Sequence, residues 1–229
     1  MEKNRNSAFT ALLALFLLTT AIGCSGGRNP DKESAIPAEK ITRLAGVEFE
    51  TPATDGLSTT GADGFLSGSG LLIAREPISD VKTGRHFVIR GDLAEGGSIQ
   101  LIAFAIRTAN GLQNSLQNGI EIELSRPAGS AQLKVIAKAG NNQDDWSQFF
   151  SRIQPNTEFE IGFDVHNDEN GEAHILVWNM KDGANQEPFF DSALDVNGAP
   201  GKGFGRLWAV RLNNATLRQA TVGEPRDDH

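Results

Sequence analysis

The chain has 229 residues, 39% of them hydrophobic, with 21 basic and 29 acidic side chains and a formal net charge of −8. That balance, with no polybasic run, excludes the basic footprint that nucleic acid or an anionic lipid surface requires. A single cysteine excludes a disulfide framework, and the absence of tyrosine removes a common sugar-stacking and general-acid side chain.

The chain opens with Lys3 and Arg5, then runs without charge from Ser7 to Gly23. A short basic start before an apolar stretch reads as a secretion signal. Thr10, Thr19 and Thr20 interrupt the run, which falls short of the roughly 20 predominantly apolar residues of a membrane span. It ends in Ala21-Ile22-Gly23-Cys24. That ending resembles the bacterial lipobox, with Ala21 where the first residue is usually Leu. The resemblance implies cleavage before Cys24, a thioether link from Cys24 to diacylglycerol, and a lipid bilayer as partner. The plainer alternative is an ordinary cleaved signal beside a chance cysteine. Each buried CH₂ contributes about 0.8 kcal/mol, and two acyl chains suffice for stable anchoring. Ser25, rather than Asp, follows the cysteine, which in Gram-negative lipoproteins resembles the default outer-membrane destination. Cleavage would remove Glu2, Lys3 and Arg5 and leave the mature chain more acidic still.

Four regions are expected: a signal peptide over 1–23, a lipidated tether over 24–40, one domain over 41–222 and a frayed tail over 223–229. The tether segment "SGGRNPDKESAIPAEK" is rich in Gly, Pro, Ser and charge and has too little apolar content to order itself.

The domain reads as strands in succession. "GVEFE" and "FLSGSGLLIA" come first, then 86–93, 97–107, 119–125, 131–139, 146–153, 159–166, 173–180, 206–214 and 215–222. In "FEIGFDVH" Phe159, Ile161, Phe163 and Val165 alternate with Glu160, Gly162, Asp164 and His166, the pattern of a strand with one buried face. "GIEIELS" repeats it with Ile120, Ile122 and Leu124. Turns favouring positive φ fall at Glu95-Gly96-Gly97, Asn118-Gly119, Gly140-Asn141-Asn142, Asn170-Gly171 and Asn197-Gly198. Residues 110–119 read as a loop or one helical turn. The fold class is therefore all-β, a two-sheet antiparallel β-sandwich.

The run "NTEFEIGFDVHNDENGEAHILVWN" resembles the central hairpin of concanavalin A-like lectin/glucanase sandwiches, including laminin-G-like domains. "GFGRLWAVRLNNATLRQATV" resembles their closing strand, and the strands from His86 to Ser125 resemble the early strands of bacterial members, 3-keto-disaccharide hydrolases among them. The resemblance implies a jelly roll with a groove that holds sugars. Laminarinase-type members carry E-x-D-x-E; here Glu121 and Glu123 are followed by Ser125, so the second catalytic carboxylate is missing. Glu121 and Glu123 are then the polar face of a half-buried strand.

A five-residue loop over Asn167–Gly171 would set His166 opposite Glu172, Asp164 opposite His174 and Trp178 opposite Glu160. It gathers Asp164, His166, Glu172 and His174 on one face. These are ligands suited to zinc or another divalent ion, or else charge-complementary cross-strand pairs. No cofactor is required by any motif. Trp178 and Glu160 are candidates for stacking on and bonding to a glycan, with Trp178 as core the alternative. Trp146, beside Asp144 and Asp145, is a second aromatic candidate. No G-x-S-x-G or phosphate-cradling loop occurs, and the glycines around Lys202 read as a flexible loop. The expected function is a membrane-anchored, non-catalytic module that binds a ligand, a carbohydrate first. The alternatives are a glycan-active hydrolase or lyase and an envelope interaction lipoprotein.

Overall fold

The computed structural model describes residues 40–51, 56–60, 64–78, 84–107, 116–117, 119–130, 132–139, 146–150, 157–167, 172–182, 187–195 and 205–225. The expected signal peptide and nearly all of the tether lie outside them. Among the described residues no helix is long and apolar enough to cross a membrane. Their only helical element is a single 3-10 turn, Met180–Asp182.

The strands are β1 (Lys40–Leu44), β2 (Val47–Thr51), β3 (Gly56–Thr60), β4 (Phe65–Ala74), β5 (Arg85–Arg107), β6 (Leu116–Gln117) and β7 (Ile120–Ser125). They continue with β8 (Leu133–Ala139), β9 (Trp146–Phe150), β10 (Phe159–Asn167), β11 (Glu172–Asn179), β12 (Phe190–Asp195) and β13 (Leu207–Gly223). Every pairing among the described residues is antiparallel. β1 and β2 join through Ala45 and Gly46, both at positive φ, the two-residue turn whose twist suits a hairpin.

The hydrogen-bonded path runs β1-β2-β4-β13-β5-β10-β11-β12. β5 makes it a sandwich. Its first half pairs with β10 and its second half with β7, on the same edge. The sheet therefore divides into two leaves, β10-β11-β12 and β7-β8-β9. Ile161, Phe163, Ile175 and Val177 of one leaf share a single core with Ile122, Leu124, Val135 and Ala137 of the other. Trp208 sits in that core, edge-on to Phe49 at 5.4 Å and tilted against Phe87 at 5.6 Å. The alternation in β7 and β10 explains which side chains enter it.

Two expectations on continuity are corrected. Residues 86–93 and 97–107 form one strand, and so do 206–214 and 215–222. Glu95-Gly96-Gly97 bends β5 instead of ending it: Ser98 pairs with Asn213 and Leu93 with Ala215, leaving four residues of β5 against Asn214. Asn214 takes a left-handed φ of 48°, which Asn tolerates. Gly97 is obligatory here, since a Cβ would lie 2.3 Å from the Asn214 carbonyl oxygen. A second irregularity falls at Phe104, with φ 56°. It turns both Ala103 and Phe104 into the main core and sends Ala105 to a small separate cluster with Leu71, Ile102 and Ala209. Strands β1, β3 and β12 were not expected from the sequence. β6 falls within 110–119, expected as a loop or one helical turn, most of which lies outside the described residues.

Candidate ligand-binding face

The outer face of the β13-β5-β10-β11 layer carries what the core rejects. The side chains that alternate with buried Phe87, Ile89 and Leu93 on β5 are His86, Val88, Arg90 and Asp92. Those alternating with Phe159, Ile161, Phe163 and Val165 on β10 are Glu160, Gly162, Asp164 and His166. Cross-strand pairing sets Asp164 beside His86, Gly162 beside Val88 and Glu160 beside Arg90.

One end of this face is packed. His86 donates a hydrogen bond from Nδ1 to the Asp164 carboxylate, with 12% of the histidine and 1% of the aspartate side chain exposed. The Trp178 ring lies 6.2 Å from the His86 ring. Gly162 makes this possible: a Cβ there would meet Met180 Sδ at 2.7 Å and His86 Cε1 at 2.8 Å. His166 and His174 stack nearly parallel, their centroids 5.3 Å apart.

The other end, beside the bend in β5, is an open groove of about 590 Å³. Ser67, Asp92, Glu158, Asn214, Thr216 and Arg218 supply its polar lining, and Leu93, Ala94 and Ala215 its apolar part. Arg218 joins the two carboxylates: Nη2 is 3.2 Å from Asp92 Oδ2 and Nε 3.0 Å from Glu158 Oε2. Its guanidinium carbon lies 4.7 Å from the centre of the Phe65 ring, a cation–π contact. Arg90 Nε donates to Glu158 Oε1 at 2.5 Å. That bond holds the Glu158 carboxyl below its ordinary value; burial opposes the shift, and the charges of Arg90, Arg218 and Lys181 add to it.

The expected face survives, but not the expected register. His166 pairs with His174, Asp164 with Leu176 and Trp178 with Gly162, a slip of two residues from the expected pairing. A slip of two keeps every side chain on its face, so alternation alone could not distinguish the registers. Asp164, His166 and His174 do share one face. Glu172 holds a register position opposite Asp195, and its side chain lies outside the described part. Among the described residues no group of three or more His, Cys, Asp or Glu is arranged to hold a metal ion. Trp178 is 5% exposed, so its ring offers little surface to a sugar. Glu160 is half-buried. Trp146 pairs with Ala137, and its side chain is not described. On the other leaf Glu121 accepts from Gln100 Nε2 at 2.8 Å, and Gln100 Oε1 accepts from Arg211 at 3.1 Å, a structural polar ladder.

Sequence reasoning missed Asp92, Glu158 and Arg218. Arg218 and Asp92 are 126 positions apart, so no local motif could join them. The available signal was that Asp92 falls on the outward phase of β5.

No family model matches this chain, and no curated protein matches it. Among solved structures, a Bacillus subtilis protein of unknown function with a galectin-like fold aligns with TM-score 0.51 and 11% identity, over 77% of this chain and 89% of that one. A carbohydrate-binding module, CBM66, from Bacillus subtilis aligns at 0.44 and 10%, over 80% and 98%. An alginate lyase of polysaccharide lyase family 7 aligns at 0.46 and 12%, over 74% and 83%. The fold is a concanavalin A-like β-sandwich.

Proposed function

We propose that the chain is a lipid-anchored protein of the bacterial envelope, in the outer membrane, whose sandwich binds a carbohydrate without transforming it. The uncharged run Ser7–Gly23 followed by Cys24 supports the anchor. The observation that carries the binding role is the open, polar groove at the bend of β5. Its size falls within the ~300–1,000 Å³ of ligand clefts. The full chain, purified in detergent, should be retarded in gels cast with a polysaccharide it recognises. Failure on every polysaccharide of a broad panel overturns the binding role. Radiolabelled palmitate should mark the parent and not Cys24→Ser; equal labelling overturns the anchor.

A second reading, a glycan-active hydrolase or lyase, is favoured by one observation. Buried Asp164 orients the His86 ring, as a carboxylate orients a general base. Release of reducing ends or unsaturated sugars by the parent, lost in His86→Ala, would establish that reading in place of the first.

A further inference from the structure

We infer that the groove between β4, β13 and β5 is the binding site and that it takes an uncharged glycan, held through hydroxyl groups by Asp92 and Glu158. This rests on the carbohydrate-binding role proposed above and gives that role its residues and its ligand class.

The charges decide the class. The groove brings together Asp92, Glu158 and Arg218, and Arg90 and Lys181 hold Glu158 from beside it. The positive members are already committed. Arg218 bridges both carboxylates and lies over Phe65, Arg90 is bonded to the Glu158 carboxylate, and Lys181 donates to the Glu158 carbonyl oxygen. An acidic sugar would have to displace these pairs and bring its own negative charge against Asp92 and Glu158. Like charges in a partly desolvated cleft repel more strongly than in bulk water. A hydroxyl group meets no such obstacle.

An ionised carboxylate accepts at about four lone-pair positions, and the guanidinium contacts occupy only part of that capacity. Asp92 and Glu158 line the groove and keep 33% and 30% of their side chains exposed, which leaves acceptor capacity within reach of a ligand. A sugar hydroxyl both donates and accepts. Asn214, Thr216 and Ser67 line the same groove and offer complementary neutral polar groups. Exposed Ala94 adds an apolar surface against which the CH face of a sugar ring rests. Arg218 acts here as a positioning residue: it fixes the two carboxylates relative to each other, so the ligand does not bear the cost of ordering them.

The test uses the full chain in detergent, with laminarin, xylan and mannan as neutral probes and alginate and polygalacturonate as acidic ones. At least one neutral polymer should retard the parent, equally at low and high salt, and the acidic polymers should not. Asp92→Asn and Glu158→Gln keep side-chain shape on the surface and should each weaken retention about tenfold or more, the loss of a hydrogen bond to a charged group. Thr216→Trp, which fills the groove, should abolish it. Retention by acidic polymers alone, or neutral retention unchanged in all three variants, overturns this site while leaving carbohydrate binding in place. No retention on any polymer overturns both.

Discussion

The two ends of the outer face share β5, and both set carboxylates against nitrogen donors. At one end His86 and Asp164 are sealed, 12% and 1% exposed; at the other Arg218, Asp92 and Glu158 remain about one-third open. What lies over each end makes the difference. Gly162 lets His86 and Met180 settle onto the sheet beside Trp178 and close it. Near Asp92, Gly91 and Gly97 let the carbonyls of Thr216 and Asn214 come close to β5, drawing β13 in at the bend. Glycine thus serves opposite purposes on one face: at Gly162 it admits side chains above the sheet, and at Gly91 it admits backbone beside it. A buried hydrogen bond at one end and an exposed ion pair at the other should behave differently when cut.

The largest effect should come from removing the floor shared by the whole face. Phe87 is fully buried directly beneath it, against Trp208 and Phe104. Phe87→Ala should cost about 3–5 kcal/mol in urea unfolding; a loss below about 1 kcal/mol would mean the core does not support the face as described. Next comes the sealed end. Asp164→Ala should cost about 1.5–3 kcal/mol, because it removes a buried acceptor that bonds His86. Equal costs for Asp164→Ala and Asp92→Asn would erase the contrast between the ends.

The smallest effect concerns Glu158, and it depends on pH. Its folded value lies below the ordinary 4.5 because Arg90 bonds the ionised form. A depressed carboxyl contributes stability that is present above the ordinary value and is lost as pH falls through the folded one. Glu158→Gln should therefore cost about 0.2–1 kcal/mol at neutral pH, and the gap between parent and variant should close in acid. A gap that widens in acid would contradict the pairing with Arg90.

Much of the leaf structure was legible in the sequence. The strict alternation of β7 and β10 gave their buried faces, and it put Asp164 and His166 on one side. Register was not legible, because a two-residue slip changes partners without changing faces. Continuity was not legible either. Glu95-Gly96-Gly97 carries the chemistry of a turn, yet here it makes a bend whose ends stay paired to β13. The inward turn of Phe104 follows from a local φ of 56°, which no hydrophobic period announces. The open groove was invisible for a different reason. Its carboxylates sit on β5 and just ahead of β10, and its arginine on β13, so only the closed topology brings them together.

That topology also fixes an order of events. β13 lies between β4 and β5 at the centre of the hydrogen-bonded path, yet it is made long after both. Until it emerges, β4 and β5 each have an open edge and Trp208 is missing from the core. Contacts between such distant segments form slowly. The sheet is thus incomplete until the last of these strands is present. It locks only when its final strand slides into the gap that the earlier ones have left.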